Sequence, residues 1–242
     1  LTNFLQKYSK AELVFGVTAS RIYPNKENAT STARTRNGVI YDVFNSAIFI
    51  DRNGQNQVYH KSILVVGVEK MPFMKYLGFL SDIVINIGGT TGSLGRQEEA
   101  SNFISKDGMK VAPVICYESV FGEYVTDYVK KGAELIFIIT NDGWWRNTPG
   151  YKQHMSFARL RAIETRRSIA RSANTGISCF INQRGDVFQP TKWWFEDAIN
   201  GKINANDEIT FYVRYGDYIA RISLFVSVLL LLNLLVGRFT KR

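Results

Sequence analysis

No stretch of this chain leaves its fold less choice than the one from Val111 to Thr140. Val111 to Ile115 is an apolar, strand-like run, and Cys116 follows where the pattern changes from strand to helix. Ser119 to Lys131 reads as a helix and Glu134 to Thr140 (ELIFIIT) as a second buried strand, so a layered α/β core is expected. The stretch also puts a cysteine at the carboxyl end of a buried strand. A side chain there is held rigidly and opens onto the crevice where ligands collect. Two readings of Cys116 fit: a nucleophile with the Glu118 carboxylate two residues on, or a buried structural thiol, because free Cys behaves as a small hydrophobe.

The flanking sequence continues the alternation. Leu1, Phe4, Leu5 and Tyr8 recur at helical spacing, and Ala11 to Thr18 is a short apolar strand. Pro24 to Gly38 is polar and reads as an exposed loop. Val39 to Asp51 and Gln57 to Gly67 are strand-like, and Asn53-Gly54 between them signals a hairpin. Lys61 falls in or at the end of the second hairpin strand, where a solvated lysine is the plain reading. Met71 to Ile87 is apolar and aromatic without clean periodicity, and is expected to rest on lipid or on the site. Gly88 to Gly95 has neither a P-loop lysine nor GxGxxG spacing and reads as a flexible turn.

Strand-end loops gather binding groups, so Asn141, Trp144 and Trp145 in Thr140-Asn141-Asp142-Gly143-Trp144-Trp145 are pocket candidates. Tyr151 to Arg166 reads as a helix with His154 on its surface and Arg161 within pairing reach of Glu164. Ser168 to Ala173 and Ile177 to Asn182 are short strands around Asn174-Thr175-Gly176, and Trp193 to Phe195 precede final polar strands.

With 242 residues, 45% of them hydrophobic, the chain can bury a sizeable core. Its net charge of +9 is scattered among carboxylates, and no nucleic-acid-binding signature accompanies it, so anionic lipid is the better partner and nucleic acid is not expected. His60, His154 and the absence of CxxC exclude the common zinc spacings. Cys116 and Cys179 permit one disulfide without requiring it. Ile222 to Val236 is free of charge and flanked by Arg221 and Arg238, long enough with its flanks to approach the ~20 apolar residues of a bilayer span. Tyr212, Tyr215 and Tyr218 form a candidate interfacial belt, and the basic residues Arg238, Lys241 and Arg242 put the C-terminus on the cytoplasmic side. The expected division is a catalytic domain over 1–214 and a membrane anchor with a short basic tail over 215–242.

Three separated motifs then fall in one order: Tyr59-His60-Lys61, Val114-Ile115-Cys116-Tyr117-Glu118, and Thr140-Asn141-Asp142-Gly143-Trp144-Trp145, with Gln153-His154 and Arg161-Ala162-Ile163-Glu164 downstream. Together with the terminal apolar run they resemble the nitrilase (carbon-nitrogen hydrolase) superfamily, and within it the membrane-embedded apolipoprotein N-acyltransferase branch. The resemblance implies an α/β fold, an αββα sandwich, here without its first strands, followed by one transmembrane helix. It implies Cys116 as nucleophile, Lys61 as the cation at the oxyanion, and Tyr117, Glu118 and Glu69 as supporting residues. The family's general-base glutamate matches no residue here and is expected on an upstream strand of a longer protein; Glu12, on the following strand, does not take the role. The implied reaction moves a fatty acyl chain from a phospholipid through a thioester to the N-terminal amine of an apolipoprotein, at the periplasmic face of a bacterial inner membrane, with membrane lipid as partner and no cofactor. A tethered amidase, or a non-catalytic lipid-surface protein with the same fold, are the alternatives.

Overall fold

A computed structural model of the chain describes residues 2–8, 10–51, 53–70 and 93–240. After a short helix α1 (Thr2–Lys7), a four-stranded antiparallel sheet forms from β1 (Leu13–Tyr23), β2 (Arg34–Arg36), β3 (Val39–Ile50) and β4 (Asn56–His60). β3 is the spine: β1 pairs along one edge, while β2 and β4 share the other. Burial along β3 falls on every second residue in two runs, Asp42, Phe44 and Ser46 and then Ala47 and Phe49, which lie on opposite faces of the strand. The hairpin at Asn53-Gly54 is closed by the Asp51 carboxylate, which accepts from the backbone N–H of Asn53 and Gln55 at 2.9 Å each.

The second sheet has six strands in the order β10 (Val187–Phe188), β9 (Cys179–Ile181), β8 (Ser168–Asn174), β7 (Leu135–Asn141), β6 (Lys110–Ile115) and β5 (Phe103–Ile104). β6, β7 and β8 run parallel, with antiparallel strands on both sides. β6 is buried almost throughout: the small sheet covers one face, while α2 (Gly122–Lys130) and α3 (Gly150–Thr165) cover the other. α2 contributes Val125, Tyr128 and Val129 at helical spacing, and Phe49 meets Phe103 at 5.7 Å between the sheets. The sheets approach closely at Gly16, where a β-carbon would sit 2.9 Å from Ile139 Cγ2.

Three expectations change. The loop after Pro24 ends in a strand, β2, whose neighbours Thr30 and Thr32 donate hydroxyls to the buried Asp42 carboxylate and so draw a polar segment down to the sheet. The second hairpin strand stops at His60, leaving Lys61 just past its end. The aromatic run Trp193 to Phe195 is followed by no strand, and residues 189–210 carry no regular element. That segment is tied down by the buried Arg167, which donates to the carbonyls of Ala133 and Glu208 at 2.6 and 2.8 Å. The aromatic run itself folds back toward the strand ends, with Trp193 stacked on Tyr151 at 5.5 Å and the Trp194 N–H donating to the Thr175 carbonyl at 2.9 Å. The apolar run Met71 to Ile87 and most of the glycine-rich turn after it lie outside the described residues.

The chain ends in α4 (Phe211–Tyr215), capped by the Thr210 hydroxyl, and α5 (Tyr218–Thr240), with Gly216 at φ 69° between them. Residue 214 therefore falls inside α4, and the bend before the long helix comes at Gly216. Tyr218–Arg238 has a mean hydropathy of 2.4 and none of it is buried against the rest of the chain, so it is long and apolar enough to cross a bilayer.

Candidate active site

Cys116 is the first residue of a 3₁₀ turn (Cys116–Val120) that begins where β6 ends. Its φ of 49° is left-handed, a conformation that costs an L-residue about 1–2 kcal/mol. The thiol is half-buried and unpaired. Cys179, also a free thiol, is fully buried on β9, and burial pushes it up to about 11 against the opposing pull of Arg171. The structure thus carries no disulfide between the two.

Two residues past Cys116, the Glu118 carboxylate is completely buried and joins two distant pieces of backbone. One oxygen accepts from the Ile115 N–H at 2.8 Å; the other accepts from the N–H of Ser62 at 2.7 Å, the N–H of Ile63 at 3.2 Å and the Tyr59 hydroxyl at 2.6 Å. The residue before Cys116 and the residues after Lys61 are therefore held by a single side chain. Burial pushes the Glu118 carboxyl above its ordinary value, against the downward pull of these four donors. Burial likewise raises the Tyr59 hydroxyl, with the Glu118 charge adding to it.

Lys61 is 1% exposed, which overturns the solvated reading. Its Nζ lies 2.7 Å from Glu69 Oε2, and the same oxygen accepts from the Val65 N–H at 2.8 Å. The other Glu69 oxygen accepts from Asn45 Nδ2 at 2.8 Å, while the Lys61 N–H donates to the Asn45 carbonyl at 2.8 Å. A buried ammonium needs such a partner, because an isolated charge inside a protein is costly.

A third carboxylate, Asp142, is also fully buried. Arg171 Nη2 lies 2.7 Å from its Oδ2, and His154 Nδ1 lies 2.9 Å from its Oδ1. Burial raises Asp142, but the His154 hydrogen bond and the Arg171 charge outweigh it and bring the carboxyl to about 2. Gly176 makes room for this carboxylate, since a side chain there would run into it. His154 is 4% exposed, not a helix-surface residue. It lies on the buried stripe of α3 with Tyr151, Ala158, Arg161, Ala162 and Thr165. Half of that stripe is polar, so hydropathy does not mark it; the small Ala158 and Ala162, at helical spacing from His154, are the signal that does.

A cavity of about 610 Å³ opens between the sheets, and its wall includes Cys116, Glu69, Asn45, Asn141 and Trp144. Lys61 reaches this wall through Glu69. Trp145 does not line the cavity, because its ring lies against Gly150 at the start of α3. Tyr117 packs edge-on against Phe121 at 5.1 Å. Glu118 lies behind the wall. Among the described residues no group of three or more His, Cys, Asp and Glu side chains is placed to hold a metal ion. The arrangement offers a thiol on the wall of a mixed polar and apolar cavity, with Glu69 of the lysine–glutamate pair on the same wall.

Residues 3–210 match the carbon-nitrogen hydrolase family. The chain is 32% identical to the apolipoprotein N-acyltransferase of Chlorobaculum tepidum over 215 residues, 87% of this chain and 40% of that protein. It is 32% identical to the apolipoprotein N-acyltransferase of Thermotoga maritima over 184 residues, 76% of this chain and 36% of that one. The chain thus spans about two fifths of the length of these curated relatives. Among solved structures, the carbon-nitrogen hydrolase of Helicobacter pylori G27 superimposes with a TM-score of 0.56 at 14% identity, covering 93% of this chain and 70% of that one. An amidase from Nesterenkonia sp. superimposes with a TM-score of 0.52 at 14% identity, covering 92% and 72%. These two likenesses establish a nitrilase-like α/β fold.

Proposed function

The chain belongs to the carbon-nitrogen hydrolase family, and on that premise we propose that it carries the acyl-transfer centre of an apolipoprotein N-acyltransferase. One observation carries the reading: a free cysteine in a left-handed turn on the wall of a cavity that it shares with Glu69, the partner of a buried lysine. In this scheme the Cys116 thiolate attacks the ester carbonyl of a phospholipid. The carbon–sulfur bond forms, the ester carbon–oxygen bond breaks, and a lysophospholipid leaves with a proton from the general base. The N-terminal amine of an apolipoprotein then attacks the thioester, forming an amide and returning the thiol. Lys61 stabilises the oxyanion at each stage, and removing such a stabiliser costs about 3–4 kcal/mol. Glu69 fixes Lys61, while Glu118 fixes the backbone on both sides; Asn141 and Trp144 contribute wall. The general base is a glutamate that no residue of this chain matches, so the reading is tested on the full-length protein.

One substrate in this scheme is a lipid and the other a lipid-modified protein, which gives α5 a task. Its apolar surface supports a membrane anchor after a catalytic domain, with Tyr215 and Tyr218 at the interface and Arg238, Lys241 and Arg242 on the cytoplasmic side. The catalytic domain then faces the periplasm of a bacterial inner membrane.

The test is intact-protein mass spectrometry after incubation with phospholipid, beside Cys116→Ser. A fatty-acyl increment that is labile to hydroxylamine and absent from the variant is expected. No increment in protein with a titratable Cys116, together with ammonia release from small amides, would move the chain to the hydrolases.

A further inference from the structure

The acyl-transfer scheme leaves one buried cluster at Cys116 without a task. His154 Nε2 lies 3.1 Å from the Cys116 carbonyl oxygen and 3.1 Å from Ser119 Oγ, and the Ser119 hydroxyl donates to the same carbonyl at 2.8 Å. The other ring nitrogen faces Asp142 Oδ1 at 2.9 Å. Asp142 is itself held by Arg171 at 2.7 Å and by the Thr140 hydroxyl at 3.0 Å. Arg171 Nη2 also lies 3.4 Å from His154 Nδ1, and its Nη1 donates to the Ile177 carbonyl. His154 is thus clasped through both ring nitrogens, Nδ1 against the Asp142 carboxylate and Nε2 against the Cys116 carbonyl, so its ring cannot swing without breaking a contact at each end.

This geometry bears on the nucleophile through its backbone. A left-handed non-glycine residue persists only where its surroundings over-determine it. At Cys116 the preceding peptide is pinned by Glu118 at the Ile115 N–H, and the following peptide is pinned at the Cys116 carbonyl by His154 and Ser119. With both flanking peptides fixed, the direction of the Cα–Cβ bond, and so of Sγ, is fixed too. α3 reaches that carbonyl directly through His154, and the turn at Asp142 and β8 are linked to it through the same ring.

We propose that His154, oriented by Asp142 and Arg171, is a positioning residue that holds the Cys116 carbonyl and so keeps the thiol aimed into the cavity. It touches no substrate, and the proposal rests on Cys116 being the nucleophile.

The test compares full-length wild type with His154→Ala and Ser119→Ala by two rates read at the Cys116 peptide by mass spectrometry: acylation by phospholipid, and alkylation by iodoacetamide. His154→Ala is expected to lower the saturating acylation rate ~10- to 100-fold, since a misplacement of about 1 Å costs about 100-fold. The half-saturating lipid concentration stays within about threefold, because ground-state binding is untouched. Alkylation slows as well, and added imidazole, entering the vacated space, restores most of both rates. Ser119→Ala, which leaves His154 at the carbonyl, gives a smaller loss of both at an unchanged melting temperature, and carries the test alone if His154→Ala does not fold. Saturating rates equal to wild type in the folded variants would overturn the proposal, as would losses that only track the unfolded fraction and do not respond to imidazole. If wild type itself forms no acyl adduct, the acyl-transfer reading falls, while the alkylation comparison still decides the role of His154.

Discussion

Glu118 and Asp142 are both fully buried carboxylates within one or two links of Cys116, yet they are held in opposite ways. Glu118 has only neutral donors: three backbone N–H groups and a phenol. Asp142 has a guanidinium and an imidazole. Neutral donors soften the cost of burial without reversing it, so Glu118 stays above its ordinary value. The His154 hydrogen bond and the Arg171 charge reverse it, and Asp142 falls to about 2. The difference separates two tasks. Glu118 satisfies backbone and joins the cysteine strand to the lysine loop, whereas Asp142 orders His154, whose other ring nitrogen faces the cysteine carbonyl.

The largest effect expected from breaking this contrast is at Glu118. Glu118→Ala leaves three backbone N–H groups without an acceptor, each worth about 1–3 kcal/mol, and should cost on the order of 5 kcal/mol of stability by denaturant titration, with loss of the Cys116 adduct. An unchanged midpoint would show that Glu118 is not the joint between the two segments. Next comes Lys61→Ala, which removes the cation beside Glu69. Acylation of Cys116 should fall about 10²- to 10³-fold by mass spectrometry at early times, and a loss of less than about tenfold would remove Lys61 from the oxyanion.

The pH dependence sharpens the contrast by sign. Asp142 drops from 3.8 unfolded to about 2 folded, so the unfolded chain binds more protons between those values. Its stabilisation is complete above about pH 4 and is lost as pH falls toward 2, on the order of 2 kcal/mol. Asp142→Asn should flatten that acid limb in urea titrations at successive pH values. Glu118 runs the other way: its folded value is raised above 4.5, so stability falls as pH rises through the folded value, and Glu118→Gln should remove that fall. The smallest effect is at Cys179. Its buried, high-lying thiol serves packing, so Cys179→Ala should cost about 1 kcal/mol and leave the acyl adduct on Cys116 intact.

Hydrophobic period places most of the architecture. β6, β7, the Asn-Gly hairpin and α3 lie within a few residues of their expected positions, because burial imposes period on side chains wherever a face is apolar. The exceptions have physical causes. β2 and the segment 189–210 are held by side chains to distant partners, Asp42 for one and Arg167 for the other, and such bonds leave no local pattern. Lys61 and His154 look like surface residues in the sequence because polar types are seldom fully buried, and each is buried beside a carboxylate, Glu69 eight positions on and Asp142 twelve positions back, that no local period pairs with it.

The alternation of strands and helices, the cysteine at a strand end and the apolar terminal helix all follow from the local order of residue types, and the sequence alone is enough to read them. Which carboxylate meets which charge is a matter for the folded chain. Glu118 reaches Ser62 across 56 positions and Asp142 reaches Arg171 across 29, and whether a buried acid is raised or lowered depends on the donors that folding brings to it.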